Sequence, residues 1–256
     1  MANNNDQPVA LIVGAGDHLG SGIARRFAAE GFHIVATRRR GDLDPLVKEI
    51  EAAGGSATGV HSDARDEDEV VRLLDRIEKE FGPLEVCVFN VGGNVSFPIL
   101  ETTTRVYSKV WEMCALGGFL IGRESARVML ERARGTIIFT GATASLRGKE
   151  GFSAFSGGKH ALRALAESMA RELGPRGIHI GHVVIDGPIE NDNSRKLFPQ
   201  IYAERPDDGI LQPDDIAEAY WNIHCQKRNA WTFEVDLRPY LEAWSRCARG
   251  KVQDPN

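Results

Sequence analysis

The chain has 256 residues, of which 42% are hydrophobic, and a formal net charge of -5. That supplies one sizeable α/β core and argues for a single domain over residues 1–256. The acidic balance leaves no footprint for nucleic acid, and the scattered cysteines and histidines make no metal-ligand spacing. Cys87, Cys114, Cys225 and Cys247 fit a reduced, cytoplasmic setting. The opening MANNNDQP has neither a basic region nor an apolar stretch, so no signal peptide or membrane segment is expected and the tail reads as frayed.

In chain order, the first element is the run Val9–Val13, apolar, rich in branched side chains and closed by glycine, which predicts a buried parallel strand. Gly14, Gly16, Gly20 and Gly22 crowd the turn that follows, and Ile23 and Phe27 continue at helical spacing. Strand, glycine turn and helix together suit a pyrophosphate, because glycines admit close backbone approach and a helix start presents free N–H groups. Tight strand-to-helix turns without a ligand share the pattern. A second strand at 32–37 ends in Arg38, Arg39 and Arg40. An acidic residue at that place would bond the ribose 2'-hydroxyl of NAD(H). Guanidinium groups of Arg38 and Arg39 instead suit the 2'-phosphate of NADP(H), unless they form an ordinary basic loop.

An amphipathic helix is predicted over 43–53, a short strand near 58–61, and then Asp63 and Ala64. Asp63 either accepts from an adenine amine or opens the next helix, whose apolar stripe is Val70, Leu73, Leu74 and Ile77. The fourth strand, Leu84–Phe89, runs into Asn90, Gly92 and Gly93, a second place for backbone to approach a ligand. Thr102 to Thr104 start a long helix in which Gly117 and Gly118 signal close packing. A fifth strand at 136–140, a helix at Ser153–Leu173 and a sixth strand at Ile178–Ile185 follow, the last leading to Gly187 and Pro188. The polar, irregular segment 189–212 is a candidate lid or a plain loop. One more helix opens at Pro213, and residues 231–237 alternate as a half-buried last strand. Strands and helices alternating in this way predict a Rossmann-type, doubly wound parallel sheet of about seven strands in three α/β/α layers.

These residues resemble the short-chain dehydrogenase/reductase family over nearly the whole chain. The resemblance rests on the GAGDHLG turn, Asp63, FNVGG at 89–93, GTIIFTGA at 135–142, FSGGKHAL at 155–162 and the stretch from Leu165 to Ile189. The family's TGxxxGxG motif meets Gly14 and Gly20, with Val13 at its threonine and His18 at its middle glycine. The resemblance implies a dinucleotide held by Gly14, Gly16, His18, Leu19, Gly20, Arg38, Arg39, Asp63, Ala64, Asn90, Gly92, Lys159, Gly187 and Pro188. It further implies a small-molecule substrate and a homodimer or homotetramer built through the long helices.

Members of the family use a tyrosine to protonate a carbonyl oxygen, a serine to orient it, a lysine on the tyrosine's helix face and a supporting asparagine. Here Lys159 meets the lysine, while Phe155, Ala142 and Cys114 meet the other three. A general acid typically contributes ~10²- to 10⁴-fold, and an oxyanion donor on the order of 10²- to 10³-fold. Thr143 is a candidate substitute hydroxyl or a strand-end hydroxyl bonded to backbone. Two readings result. One is an NADP(H)-dependent oxidoreductase with an altered site, acting on a carbonyl or an activated C=C bond. The other is a catalytically silent dinucleotide-binding sensor or assembly subunit.

Overall fold

The computed structural model describes residues 7–242 apart from residue 198. Cys247 and the tail from residue 243 onward lie outside the described residues. Seven strands, β1 (Val9–Val13), β2 (His33–Arg38), β3 (Ser56–His61), β4 (Leu84–Phe89), β5 (Gly135–Thr140), β6 (Ile178–Ile185) and β7 (Glu234–Leu237), pair in the order β3-β2-β1-β4-β5-β6-β7. Every pairing is parallel. Largely apolar sequences make this possible, since β1, β4 and β6 are buried along their full length, with Glu85, His179 and His182 as the buried polar exceptions in β4 and β6.

Alternation along the strands builds two cores. Val9, Leu11 and Val13 of β1, with Phe89 and Phe139, pack against Leu73 of α3 (Glu67–Arg76), Leu120 of α5 (Gly117–Leu130) and Leu162 of α6 (Ser153–Leu173). Ala10 and Ile12, with Val88 and Ile138, face Phe27 of α1 (Leu19–Ala29), Ile50 of α2 (Asp44–Ala52) and Tyr220 of α9 (Pro213–His224). Three layers result, as expected from the sequence.

Local chemistry sets the boundaries. The Asp66 carboxylate accepts from Glu69 N at 3.0 Å and starts α3. Thr103 caps α4 (Thr104–Trp111) by accepting from Val106 N at 3.2 Å. The long helix expected from Thr104 is interrupted by a wide π-type turn, Glu112–Leu116, before α5 begins. Gly117 and Gly118 bring α5 against the β4 side, where an added Cβ at either would sit 3.4 Å from the Phe89 ring.

Three expectations shift. The second strand starts at His33 rather than residue 32, because Phe32 N still donates to Phe27 O of α1 at 3.3 Å; the Phe32 ring packs edge-on against Phe27 and Trp221. The last strand shortens to four residues. The segment 189–212 is not irregular: it holds α7 (Asp192–Leu197) and α8 (Pro199–Glu204). Its ends are zipped together, with Leu211 N donating to Pro188 O and Glu190 N to Leu211 O. Among the described residues no helix is long and apolar enough to cross a membrane.

The core also holds buried imidazoles. Burial lowers the pKa of His182 to about 4 although its Nδ1 meets Glu234 Oε2 at 2.8 Å, and burial lowers that of His224 to about 4. An unfolded chain would take up these protons near pH 6.5, whereas the folded chain refuses them until about pH 4. Stability is therefore present above the unfolded pKa and is lost as pH falls from 6.5 toward 4, by about 2–3 kcal/mol per ring at pH 4.5. Urea midpoints at pH 7 and pH 4.5 check this: the pH 4.5 loss shrinks in His224→Gln, and an equal loss in both proteins refutes the assignment.

Candidate functional site

The strand order reverses between β1 and β4, and the chains leaving these neighbours diverge at their carboxyl ends. Gly14 ends β1 with φ +84°, and an added Cβ there would lie 2.7 Å from the Asn90 carbonyl oxygen. Glycine is required by both the backbone angle and the contact. Asn90 closes the join, since its Nδ2 donates to Gly14 O at 3.1 Å and its N to Val13 O at 2.8 Å. Gly14 N and Ala15 N both donate to Thr37 O of β2, at 2.8 and 2.9 Å. The glycine turn is thus hung from both neighbouring strands.

Gly20, in the first turn of α1, is the second close approach. A Cβ at that position would run into the Gly14 carbonyl oxygen and lie 2.7 Å from Ala15 Cα. Leu19 is buried beside it, and His18 is half-buried at the helix entrance. The His18 carbonyl accepts from the Ser21 hydroxyl at 2.7 Å and from Gly22 N at 3.0 Å, while no side chain caps the helix. Gly16, by contrast, has nothing within 4 Å of where a Cβ would stand.

A cavity of about 370 Å³ opens over this turn. Gly14, Gly16, Arg38, Arg39, Asp63, Ala64, Asn90 and Gly92 all line it, so the structure brings eight of the expected residues together. It also adds residues that sequence reasoning did not single out for the site: Asp17, Ser62, Arg65 and Met113, with Arg40 beside the expected arginines. Arg65 had a signal, since it sits two residues beyond Asp63. Its Nε and Nη2 take both Asp63 oxygens, at 2.9 and 2.6 Å. The paired Arg65 guanidinium holds the Asp63 carboxyl below the usual carboxylate range. Helix entry, the other reading of Asp63, falls to Asp66 instead.

On the far side of β4 lies Lys159, 3% exposed, whose Nζ donates to Thr140 O at 2.7 Å and Val91 O at 3.1 Å. Burial pushes its pKa down, and the neighbouring Cys114 opposes that shift. Gly92 joins the two halves: a Cβ built on it would be 3.9 Å from Lys159 Nζ and from the Phe155 ring. Phe155, Cys114 and Ala142 gather in one apolar cluster with Val110, Met113 and Phe152. Gly158 permits this, because an added Cβ would stand 3.0 Å from Cys114 Cβ. The cluster partners of Phe155 are apolar, and Lys159 Nζ stands 5.9 Å from its ring centroid.

Thr143 belongs to a neighbouring polar knot. Its hydroxyl donates to the buried Asp186, which also meets Arg238 at 3.1 Å and Arg147 at 3.6 Å. Gly187 and Pro188 follow at the end of β6, apart from the cavity lining, where Gly187 packs against Pro239. Among the described residues no group of three or more His, Cys, Asp or Glu side chains is placed to hold a metal.

The two glycines of the turn should respond differently to a methyl group. Gly20→Ala meets backbone that cannot give way and should cost roughly 1–3 kcal/mol, whereas Gly16→Ala should leave stability within about 0.5 kcal/mol. Chemical denaturation of both variants reads the contrast, and equal losses would show that the turn is looser than its contacts indicate.

Comparison with known proteins agrees with this architecture. A family model described as short chain dehydrogenase matches residues 8–201. A short-chain dehydrogenase from Rhodopseudomonas palustris is 50% identical, with a TM-score of 0.78 over 93% of this chain and 100% of that one. The versicolorin reductase of Emericella nidulans is 31% identical over 201 residues, covering 76% of this chain and 75% of the relative. An actinorhodin polyketide ketoreductase solved with NADPH is 25% identical, with a TM-score of 0.84 over 93% of this chain and 97% of that one. The chain belongs to the short-chain dehydrogenase/reductase family.

Proposed function

We propose that the chain is an NADP(H)-binding oxidoreductase in which the family's proton-donating groups are replaced, acting on carbonyl compounds or activated C=C bonds that need little acid catalysis. In this reading residues 1–256 form one nucleotide-binding domain, with 189–212 as its lid, working in the cytoplasm as a homodimer or homotetramer. The observation that carries the cofactor assignment is the charge of the cavity over the glycine turn. Among the residues that line it, Arg38, Arg39, Arg40 and Arg65 set four guanidinium groups against the carboxylates of Asp17 and Asp63, a surplus of two positive charges, with Glu112 outside the lining 3.7 Å from Arg65. A phosphate monoester carries roughly two negative charges at neutral pH, which matches that surplus.

The residues present fit the dinucleotide. Gly14 and Gly20 occupy places where a side chain would collide with backbone, of Asn90 and of the turn itself, and α1 begins without a side-chain cap. Ser21 N and Gly22 N already donate to Gly16 O and His18 O, which leaves the N–H groups of Leu19 and Gly20 for an anion. Gly14, Gly16 and Asn90 would line the pyrophosphate and ribose path, Arg38 and Arg39 the 2'-phosphate, and Lys159, Gly187 and Pro188 the nicotinamide side. When bound, NADPH supplies a hydride to an electrophilic carbon.

The chain's own contribution on the substrate side is apolar. Phe155 has no proton to give, and Ala142 offers no hydroxyl to a developing oxyanion. Its cluster with Cys114 and Met113 selects an apolar substrate face and leaves the pocket without a side-chain proton donor there. Protonation then falls to solvent, which favours an activated C=C bond over a carbonyl. Thr143 as a substitute donor would first have to leave Asp186. The second reading, a silent sensor, is favoured by Lys159, whose ammonium is engaged by two backbone carbonyls.

Titration with NADPH and NADH, followed by tryptophan quenching, should give tight NADPH and weaker NADH binding, and Arg38→Asp should reverse that preference. Unchanged NADPH affinity in Arg38→Asp would sink the phosphate assignment. Phe155→Tyr combined with Ala142→Ser should raise carbonyl reduction on the order of 10²-fold or more. Tight NADPH binding with no turnover of any carbonyl or enone, in either protein, would hand the chain to the silent reading.

A further inference from the structure

Arg38 does not reach outward from the end of β2. Its Nε donates to the Arg40 carbonyl at 2.6 Å, and its Nη1 donates to Asp17 Oδ1 at 2.7 Å. The guanidinium lies flat on Gly41, which has φ +93°, where an added Cβ would stand 2.6 Å from Nε. The Arg38 side chain is 19% exposed, but its partner Asp17 is 76% exposed. Asp17 belongs to the glycine turn, so a carboxylate from the phosphate loop reaches across to hold an arginine of the neighbouring strand.

The other charges around the cavity are disposed differently. Arg65 is committed to Asp63, and Arg39 makes only a long contact with Asp63 at 3.8 Å. No ion-pair partner is recorded for Arg40 among the described residues. The Ser62 hydroxyl, a further donor lining the cavity, is buried without a hydrogen-bond partner. Arg38 is therefore the cation of this cavity whose charge is answered by a carboxylate within the phosphate turn itself.

We propose that Asp17 acts as an internal stand-in for the 2'-phosphate, holding Arg38 in the free protein and opposing a phosphate beside it, and so lowers the chain's preference for NADP(H) over NAD(H). The inference rests on the proposed cofactor and adds a specificity-determining residue to it. Arg38 keeps three N–H donors beyond its present bonds, enough for a forked contact with phosphate oxygens. A phosphate seated there would share one guanidinium with the Asp17 carboxylate, placing two like charges side by side. Either the carboxylate swings away or the repulsion stays; both weaken phosphate binding. Because Asp17 is largely exposed, solvent and salt screen the effect, which is therefore modest and dependent on ionic strength.

Asp17→Asn tests this, because it removes the charge and keeps an oxygen that can still accept from Arg38. Wild type and variant are titrated with NADPH and NADH at low and high salt. In roughly 50 mM salt, NADPH should bind the variant about three- to tenfold more tightly, with NADH changed by less than about twofold. The NADPH gain should narrow at roughly 0.5 M salt. Equal NADPH affinity in the two proteins, or an NADH gain as large as the NADPH gain, overturns the role of Asp17 and leaves the cofactor reading standing. Binding of neither dinucleotide to either protein overturns the cofactor reading, and this inference with it.

Discussion

The contact between Gly14 and Asn90 is the constraint on which the candidate site depends. Two parallel strands can run side by side indefinitely, but a ligand site needs the chains that leave them to part. Here they part while still joined at the root: Asn90 donates to Gly14 O, and the Gly14 Cα lies where no Cβ fits. The backbone then turns under a positive φ into a helix whose Gly20 rests on the Gly14 carbonyl. Remove the glycine at either place and the turn must open. The cavity lies over this join.

From that root the site divides into two environments. Over β1, β2 and β3 it is ionic, with arginines and aspartates paired across short loops. Beyond β4 it is apolar, with Phe155, Cys114 and Met113 in one cluster and Lys159 Nζ 5.9 Å from the Phe155 ring centroid. The Lys159 ammonium is buried there, and two backbone carbonyls solvate it in place of water. Burial lowers its pKa, yet the same carbonyls favour the protonated form that donates to them. In the proposed reading these halves serve different tasks, anion recognition and hydride delivery, and they sit on separate elements. A change on α6 can therefore remove proton chemistry without disturbing the phosphate half, whereas the turn 112–116 touches both, since Met113 lines the cavity and Glu112 lies 3.7 Å from Arg65.

How legible was this in the sequence? Strands buried along their full length were read to the residue, as with Leu84–Phe89 and Ile178–Ile185, because apolar residues dominate both faces even with Glu85, His179 and His182 among them. Ser153–Leu173 was equally clear from its helical stripe and its Gly-Pro stop. Phe32 misled because a large aromatic scores as strand wherever it is buried, and its partners, Phe27 and Trp221, are tertiary. The two short helices in 189–212 were hidden for a similar reason. What organises that segment is a backbone bridge between Ile189 and Leu211, and backbone pairing carries no side-chain signature.

The site was legible as a list of positions but not as a set of partners. Gly14, Arg38, Asp63 and Asn90 were all named from motif and spacing, and they do meet at one cavity. The sequence alone says nothing of Arg65 closing on both oxygens of Asp63, or of Asp17 reaching Arg38 across twenty-one positions. Charge pairing across loops depends on where a fold sets its strand ends, and here the parallel register puts the end of β1 beside the end of β2. A run of arginines therefore states only how much positive charge the loop carries. How much of it remains to meet a ligand is decided by the acidic residues that the neighbouring turn delivers, so the same three arginines on a fold with a neutral glycine turn would present a stronger phosphate site than they do beside Asp17.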